Sequence, residues 1–231
     1  MSHLKVSALM SRDVASVREN TTFHEIAAVL AERHVSAVPV VDADNRVVGV
    51  VSEADMLHKV EFADDPEEGD GLFERRAHRL ARHKATGHVA SDLMTSPAVT
   101  VPESTTVVVA ARLLESTGVK RMPVVNDLGR LVGIVSRRDL LKVYSRPDID
   151  IRRDIVEDVL RRLLWIGPTE VTVQVAGGVV VLDGQLETRS LLDIMQRLAR
   201  GVDGVVDVVD RLTWRIDDTA HPEARYYRPL V

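Results

Sequence analysis

The chain has no cysteine. That absence excludes a disulfide framework, thiolate metal sites, iron–sulfur clusters and thiol catalysis, and it fits a reducing, cytoplasmic setting. Aromatic residues make up only 3%, too few for an aromatic-lined pocket or a base-stacking platform. Val, Leu, Ile and Ala must therefore fill the core. No run approaches the roughly 18 consecutive apolar residues of a membrane span. Met1–Ser11 lacks the long apolar stretch of an export signal. An excess of positive charge is missing too: 30 Lys and Arg stand against 35 Asp and Glu, a formal charge of −5. A general nucleic-acid binder would carry a basic footprint, so nucleic acid is not expected as a partner.

Catalytic signatures are equally scarce. His24-Glu25 opens a zincin-like pattern, but position 28 is Ala and the second metal ligand is missing. The eight histidines are scattered, and His78 and His83, five apart, do not share a helical face. There is no Gly-x-Gly-x-x-Gly, no Gly-x-x-x-x-Gly-Lys and no Gly-x-Ser-x-Gly. The chain is therefore not expected to be an enzyme, and neither a metal site nor a catalytic cofactor is expected.

What is present is a globular composition, 45% hydrophobic and 28% charged over 231 residues, long enough for one large domain or two small ones. It also contains an internal repeat. Leu9-Met10 recurs as Leu93-Met94, Thr21-Thr22 as Thr105-Thr106, and Val38-Pro39-Val40-Val41 as Met122-Pro123-Val124-Val125. Val48-Gly49-Val50-Val51-Ser52 recurs as Val132-Gly133-Ile134-Val135-Ser136, and Asp55 as Asp139. All pairs share one offset. Between Ser7–Leu57 and Ser91–Leu141 roughly two-fifths of positions are identical, far above chance for a fixed period.

Each copy predicts the order β-α-β-β-α. A short strand spans Val14–Val17 or Val99–Val101. A helix follows, with Thr22 or Thr106 as its N-cap. Two apolar strands, Ala37–Val41 and Val47–Val51, flank the polar turn Asp42–Asn45. The second copy has Met122–Val125 and Leu131–Val135 in these places. A last helix starts at Ser52 or Ser136. The Val-rich strands alternate poorly, which points to burial on both faces, and the two units should pack on each other.

In each copy Ser-x-x-Asp stands where a strand gives way to a helix. The unpaired amides there suit a phosphate, and the carboxylate one turn on can accept the hydroxyls of a ribose. The same arrangement is also a helix cap that needs no ligand, and the two roles are compatible.

The segments Val35–Asp42 and Val48–Asp55, with their second-copy equivalents through Asp139, resemble the cystathionine-β-synthase (CBS) domain, and the two copies resemble a CBS pair, or Bateman module. The resemblance implies α+β / α/β repeats packed as a pseudo-symmetric pair that binds an adenine nucleotide (AMP, ADP or ATP) or a related adenosyl ligand between them. By this resemblance Asp55 and Asp139 hold ribose, and Ser52 and Ser136 lie near phosphate. Val38 and Met122, before the strand prolines (Pro123 in the second copy), line the adenine slot partly through backbone groups. Ser16 and Thr100 lie near such sites. It also implies side-by-side association, so a homodimer is expected. Charge ranks the two sites. Glu53 follows Ser52, whereas Arg137 and Arg138 follow Ser136, and Lys120-Arg121 stands at the matching strand entrance. The second-copy site is therefore expected to be the main phosphate-bearing one.

Between the copies, residues 62–87 form an insertion: an acidic loop, then an amphipathic basic stretch, Leu72–Lys84, read as a helix. It packs along the pair, or contacts a dimer mate or an acidic surface. Repeat 1 is placed in 1–61 and repeat 2 in 88–145.

After Arg146-Pro147-Asp148 the pattern changes. Ile151, Ile155, Val159 and Leu163 predict a helix ended by Gly167-Pro168. Val171–Val175, the turn Gly177-Gly178 and Val179–Leu182 predict a hairpin. A helix from Thr188 or Ser190 and a strand over Val205–Trp214 complete an α-β-β-α-β unit at 150–216, with a tail at 217–231. Gly178–Gly184 and Val202–Asp210 resemble the BON domain. That implies an interaction module with a protein or phospholipid partner. The readings of the whole are a nucleotide sensor that signals through this module, a ligand-independent dimeric scaffold and, least favoured by the charge balance, a nucleic-acid regulator using the basic stretch Leu72–Lys84.

Overall fold

The computed structural model describes residues 4–61, 84, 86–167 and 169–219. The acidic loop and basic helix expected between the repeats lie outside these residues except for Lys84, as does the tail from position 220 onward. Two compact units are present, Lys5–Leu140 and one built mainly from Leu141 onward.

The first unit contains β1 (Val17–Arg18), α1 (Phe23–Glu32), β2 (Ala37–Val41), β3 (Val47–Ser52) and α2 (Glu53–Glu61). After the insertion come α3 (Ala90–Leu93), β4 (Val101–Pro102), α4 (Val107–Thr117), β5 (Arg121–Val125), β6 (Leu131–Ser136) and α5 (Arg137–Leu141). In each copy the first strand pairs parallel with the second, across the helix, and the second pairs antiparallel with the third. This is the β-α-β-β-α order expected from the repeat.

Local chemistry explains the boundaries. Thr22 Oγ1 accepts from the Glu25 amide and the Glu25 carboxylate accepts from the Thr22 amide, a reciprocal cap that starts α1. Those Thr22 bonds hold the Glu25 carboxyl below its usual range. In the β2–β3 turn, Asp42 Oδ1 accepts from the amides of Asp44 and Arg46, and Asn45 takes the left-handed conformation. The second copy builds the same turn from Asn126 Oδ1, Leu128 and Arg130, with Gly129 at the left-handed position. β2 is buried along its whole length, as its unbroken Ala-Val-Pro-Val-Val run requires.

The strands β1 and β4 are two residues long and begin later than the sequence predicts. The reason is that each leader segment crosses to the other copy. The 3-10 turn Val6–Ala8 bonds to Thr105 and Glu103, and Ser11 exchanges backbone bonds of 2.9 Å with Ile134 of β6. In return, α3 bonds to Thr21 and Glu19 of the first copy, and Thr95 exchanges bonds of 2.9 and 3.1 Å with Val50 of β3. Ala90 and Leu93 are buried in the first copy's core beside Ile26, Val38 and Val51. The repeated Met-Gly pairs lock the exchange: Met94 lies against Gly49 and Met10 against Gly133. A Cβ at either glycine would enter the methionine side chain.

The second unit runs α6 (Asp148–Asp154), a continuation with wider π-type winding (Ile155–Leu164), β7 (Val171–Ala176), β8 (Val179–Thr188), α7 (Arg189–Arg200) and β9 (Asp207–Ile216). The helix stops at Trp165, in the left-handed conformation, before the expected Gly167-Pro168 stop. Ile151, Ile155, Val159 and Leu160 are buried, but Leu163 is 43% exposed because the wider winding turns it off the core stripe. Gly177 and Gly178, both at positive φ, make the hairpin turn, and their amides bond the Asp148 carboxylate at 2.8 Å. β8 pairs antiparallel with β7 and parallel with β9. The core joins the helices to Val171, Val173, Val180, Leu182, Val208 and Leu212. Thr188 gives α7 no side-chain cap. Asp218 supplies one from beyond β9 by accepting from the Ser190 amide at 2.9 Å, while Asp217 pairs with Arg189 at 2.8 Å.

Two predictions follow from this packing. Gly133→Ala should destabilise the first unit by about 1–3 kcal/mol through overpacking, and its loss should be non-additive with that of Met10→Ala in thermal melts. Additive losses would mean that the two side chains do not meet. In the second unit, hydrogen bonds from Thr219 and Arg189 lower the Asp217 carboxyl from 3.8 to about 2. Its contribution is present above pH 3.8 and is lost as the pH falls through about 2. Asp217→Asn should therefore flatten the acid limb of the Tm–pH curve, and an unchanged limb would contradict the contact.

Candidate functional site

The leader exchange carries Thr95–Val99 alongside β3 and opens a cleft of about 300 Å3 between the two copies, at the small end of ligand sites. Ser36 and Ala37 at the start of β2, Val50 and Ser52 of β3, and Glu53–Asp55 at the start of α2 form one side. Thr95, Ala98, Val99 and the strand entrance Val119–Lys120–Arg121 form the other. The walls are apolar at Ala37, Val50, Ala98, Val99 and Val119, a slot suited to a flat base.

Both Ser-x-x-Asp motifs form caps. Asp55 Oδ2 accepts from the Ser52 amide and hydroxyl at 2.8 and 2.6 Å, and Ser52 Oγ lies 3.4 Å from the Asp55 amide. Ser136 and Asp139 repeat these bonds at 3.0, 2.6 and 3.3 Å. Asp55 has a further partner: its Oδ1 accepts from Lys84 Nζ, an ion pair in which each side chain is only 13% exposed. Lys84 Nζ also bonds Thr95 Oγ1 at 2.8 Å. Nothing in the spacing signals this contact, because the insertion separates the two residues.

The cleft gathers Ser52, Asp55 and Lys120 of the residues singled out by sequence. Ser136, Arg137, Arg138, Asp139, Met122, Pro123, Thr100, Val38 and Ser16 are not among its lining residues. Val38 and Met122 are fully buried, so their side chains belong to the core. Ser16 and Thr100 flank the first strands and are not part of them. Arg137 turns toward the end of α4, 3.4 Å from the Leu114 carbonyl and 3.9 Å from Glu115. Lys120 faces the Ser52 side, although its carbonyl accepts from the Arg137 amide.

The residue that sequence reasoning weighed too lightly is Arg121. It lines the cleft, and its Nε is buried with no hydrogen-bond partner among the described residues. An unpaired buried donor on a cation is costly and calls for an acceptor. The signal was its place in Lys120-Arg121, where the first copy has Ser36-Ala37. Among the described residues no group of three or more His, Asp or Glu is placed to hold a metal, and no helix is long and apolar enough to cross a membrane.

Comparison with known proteins identifies the first unit's family. The CBS-domain model matches residues 6–61 and 90–146. A CBS domain-containing protein of Dictyostelium discoideum is 32% identical over 141 residues, 61% of this chain and 91% of that protein. The chain belongs to the CBS-domain family. Its CBS pair is followed by a BON domain, whose model matches residues 148–216. The chloroplastic CBS domain-containing protein CBSX1 of Arabidopsis thaliana is 30% identical over 138 residues, 56% of this chain and 58% of that one. This chain thus spans about three fifths of the length of the Arabidopsis relatives that it matches. The crystal structure of Arabidopsis CBSX2 in complex with AMP superposes with a TM-score of 0.52 at 30% identity, over 60% of this chain and 94% of that one.

The caps predict a ligand-free effect. Ser136→Ala should lower stability by about 1 kcal/mol in thermal or urea unfolding. No loss would show that the serine does not cap α5.

Proposed function

We propose that this protein is a non-catalytic sensor whose CBS pair takes an adenine nucleotide (AMP, ADP or ATP), or a related adenosyl ligand, in the cleft between the copies. The observation that carries the reading is the buried, unpartnered Nε of Arg121 in a cleft that joins apolar walls at Ala37, Val50, Ala98, Val99 and Val119 to polar groups at Ser52, Asp55 and Lys120. A phosphate oxygen would satisfy it with a charge-assisted bond. Lys120 supplies a second cation, the apolar walls accept the base, and Asp55 accepts from the ribose. The AMP complex of CBSX2 supports the ligand class.

This assignment shifts the main site to the first-copy motif. Charge along the sequence favours Ser136–Asp139, but Lys120 and Arg121 line the Ser52–Asp55 cleft, and Arg137 faces α4. Ligand that contacts both copies biases their packing only insofar as it binds one arrangement more tightly. The BON domain is the natural module to pass that bias to a protein or a phospholipid surface. Homodimerisation through the pair would cover the exposed Leu57, Val108 and Val109. The cysteine-free composition fits a cytoplasmic setting.

A second reading, a ligand-independent scaffold, draws on one specific fact: both Ser–Asp motifs are already satisfied as caps. Calorimetric titration separates the two. AMP, ADP or ATP should bind saturably, about tenfold or more weaker in Arg121→Ala, given the worth of a hydrogen bond to a charged group, and near wild type in Asp139→Ala. Equal binding by the Arg121 variant would remove this cleft, loss only in Asp139→Ala would restore the second-copy site, and no binding at all would leave the scaffold.

A further inference from the structure

Resting on that reading of the cleft, we infer that Lys84 is a built-in competitor for the ribose position and sets a preference for nucleotides over uncharged nucleosides. One carboxylate has only a few acceptor positions to share. An ionised Asp offers about four lone-pair sites on its two oxygens. On Asp55 the Ser52 amide and hydroxyl take two, both on Oδ2. Lys84 Nζ takes a third, on Oδ1. A ribose diol brings two donors and finds one site.

The Ser52 bonds form the start of α2, so breaking them would cost the cap. The Lys84 bond joins the carboxylate to a side chain that is otherwise held here by Thr95 Oγ1, also a cleft residue. Lys84 is therefore the partner that a diol displaces. Both side chains of the pair are largely withdrawn from water, so the displaced ammonium needs new compensation. Lys84 does not itself line the cleft, but once freed from Asp55 its ammonium swings toward a ligand phosphate there for compensation, which the hydroxyls of a bare nucleoside do not offer. Lys84 thus penalises adenosine and spares AMP.

Calorimetry on the full chain with adenosine, 2′,3′-dideoxyadenosine and AMP tests this in wild type, Lys84→Met and Lys84→Gln. Lys84→Met should bind adenosine about tenfold more tightly, the worth of one charge-assisted bond no longer displaced. Dideoxyadenosine should gain nothing, because it lacks the diol. The ratio of AMP to adenosine affinity should fall. Lys84→Gln, which keeps a donor without the charge, should lie between and covers the case in which the methionine variant folds poorly. The ligand-free Tm should fall in both variants, so that affinity for adenosine and stability move in opposite directions, which a purely structural contact would not produce. Unchanged or weaker adenosine binding, or an equal gain for dideoxyadenosine, while AMP still binds wild type, would overturn the role of Lys84 and leave the nucleotide reading standing. Absence of AMP binding to wild type and variants alike would overturn both.

Discussion

The reciprocal exchange of leader segments is the constraint on which the first unit depends. Each copy by itself is a three-stranded sheet with one side incomplete. The segment preceding the other copy completes it: Ala90 and Leu93 enter the first core, and Val6–Ser11 lies along the second. The thioether of each repeated methionine sits where a side chain on the repeated glycine would be, so the two copies approach to backbone distance. Only glycine permits that approach. The unit that repeats in sequence is therefore not the unit that packs.

The cleft is a by-product of the same exchange. Because Thr95 is pinned to Val50, the chain from Thr95 to Val99 has to run beside β3 before it reaches β4. That run becomes one wall, and the start of α2 becomes the other. Helix-start chemistry on one side and the Lys120–Arg121 pair on the other then face a shared space. The helix start comes from the first copy and the cations from the second, so a ligand filling this cleft would touch both copies.

Much of this was legible in the sequence. The repeat, the strand order, the Thr22 cap and the polar turn Asp42–Asn45 all follow from local rules. The hairpin at Gly177-Gly178 and the Ser–Asp caps do as well. What local rules could not supply was partnership across the pair. Ser16 and Thr100 read as strand residues because nothing along the chain shows that their leaders cross over. Arg137 read as a phosphate ligand because its neighbour in sequence is Ser136, whereas in space it faces Glu115. Lys120 and Arg121 were grouped with the second-copy serine by alignment and lie on the first-copy cleft by topology. The Lys84–Asp55 pair spans an insertion whose length carries no pairing signal.

The central claim is that an anionic adenosyl ligand seats in this cleft with its phosphate on Arg121. A crystal structure of the full chain grown with AMP tests it most directly. The account predicts density between β3 and Thr95–Val99, the ribose on Asp55 with Lys84 displaced, and a phosphate oxygen within hydrogen-bond distance of Arg121 Nε. AMP bound only beside Ser136 and Asp139, or a cleft left empty at saturating AMP, would contradict it.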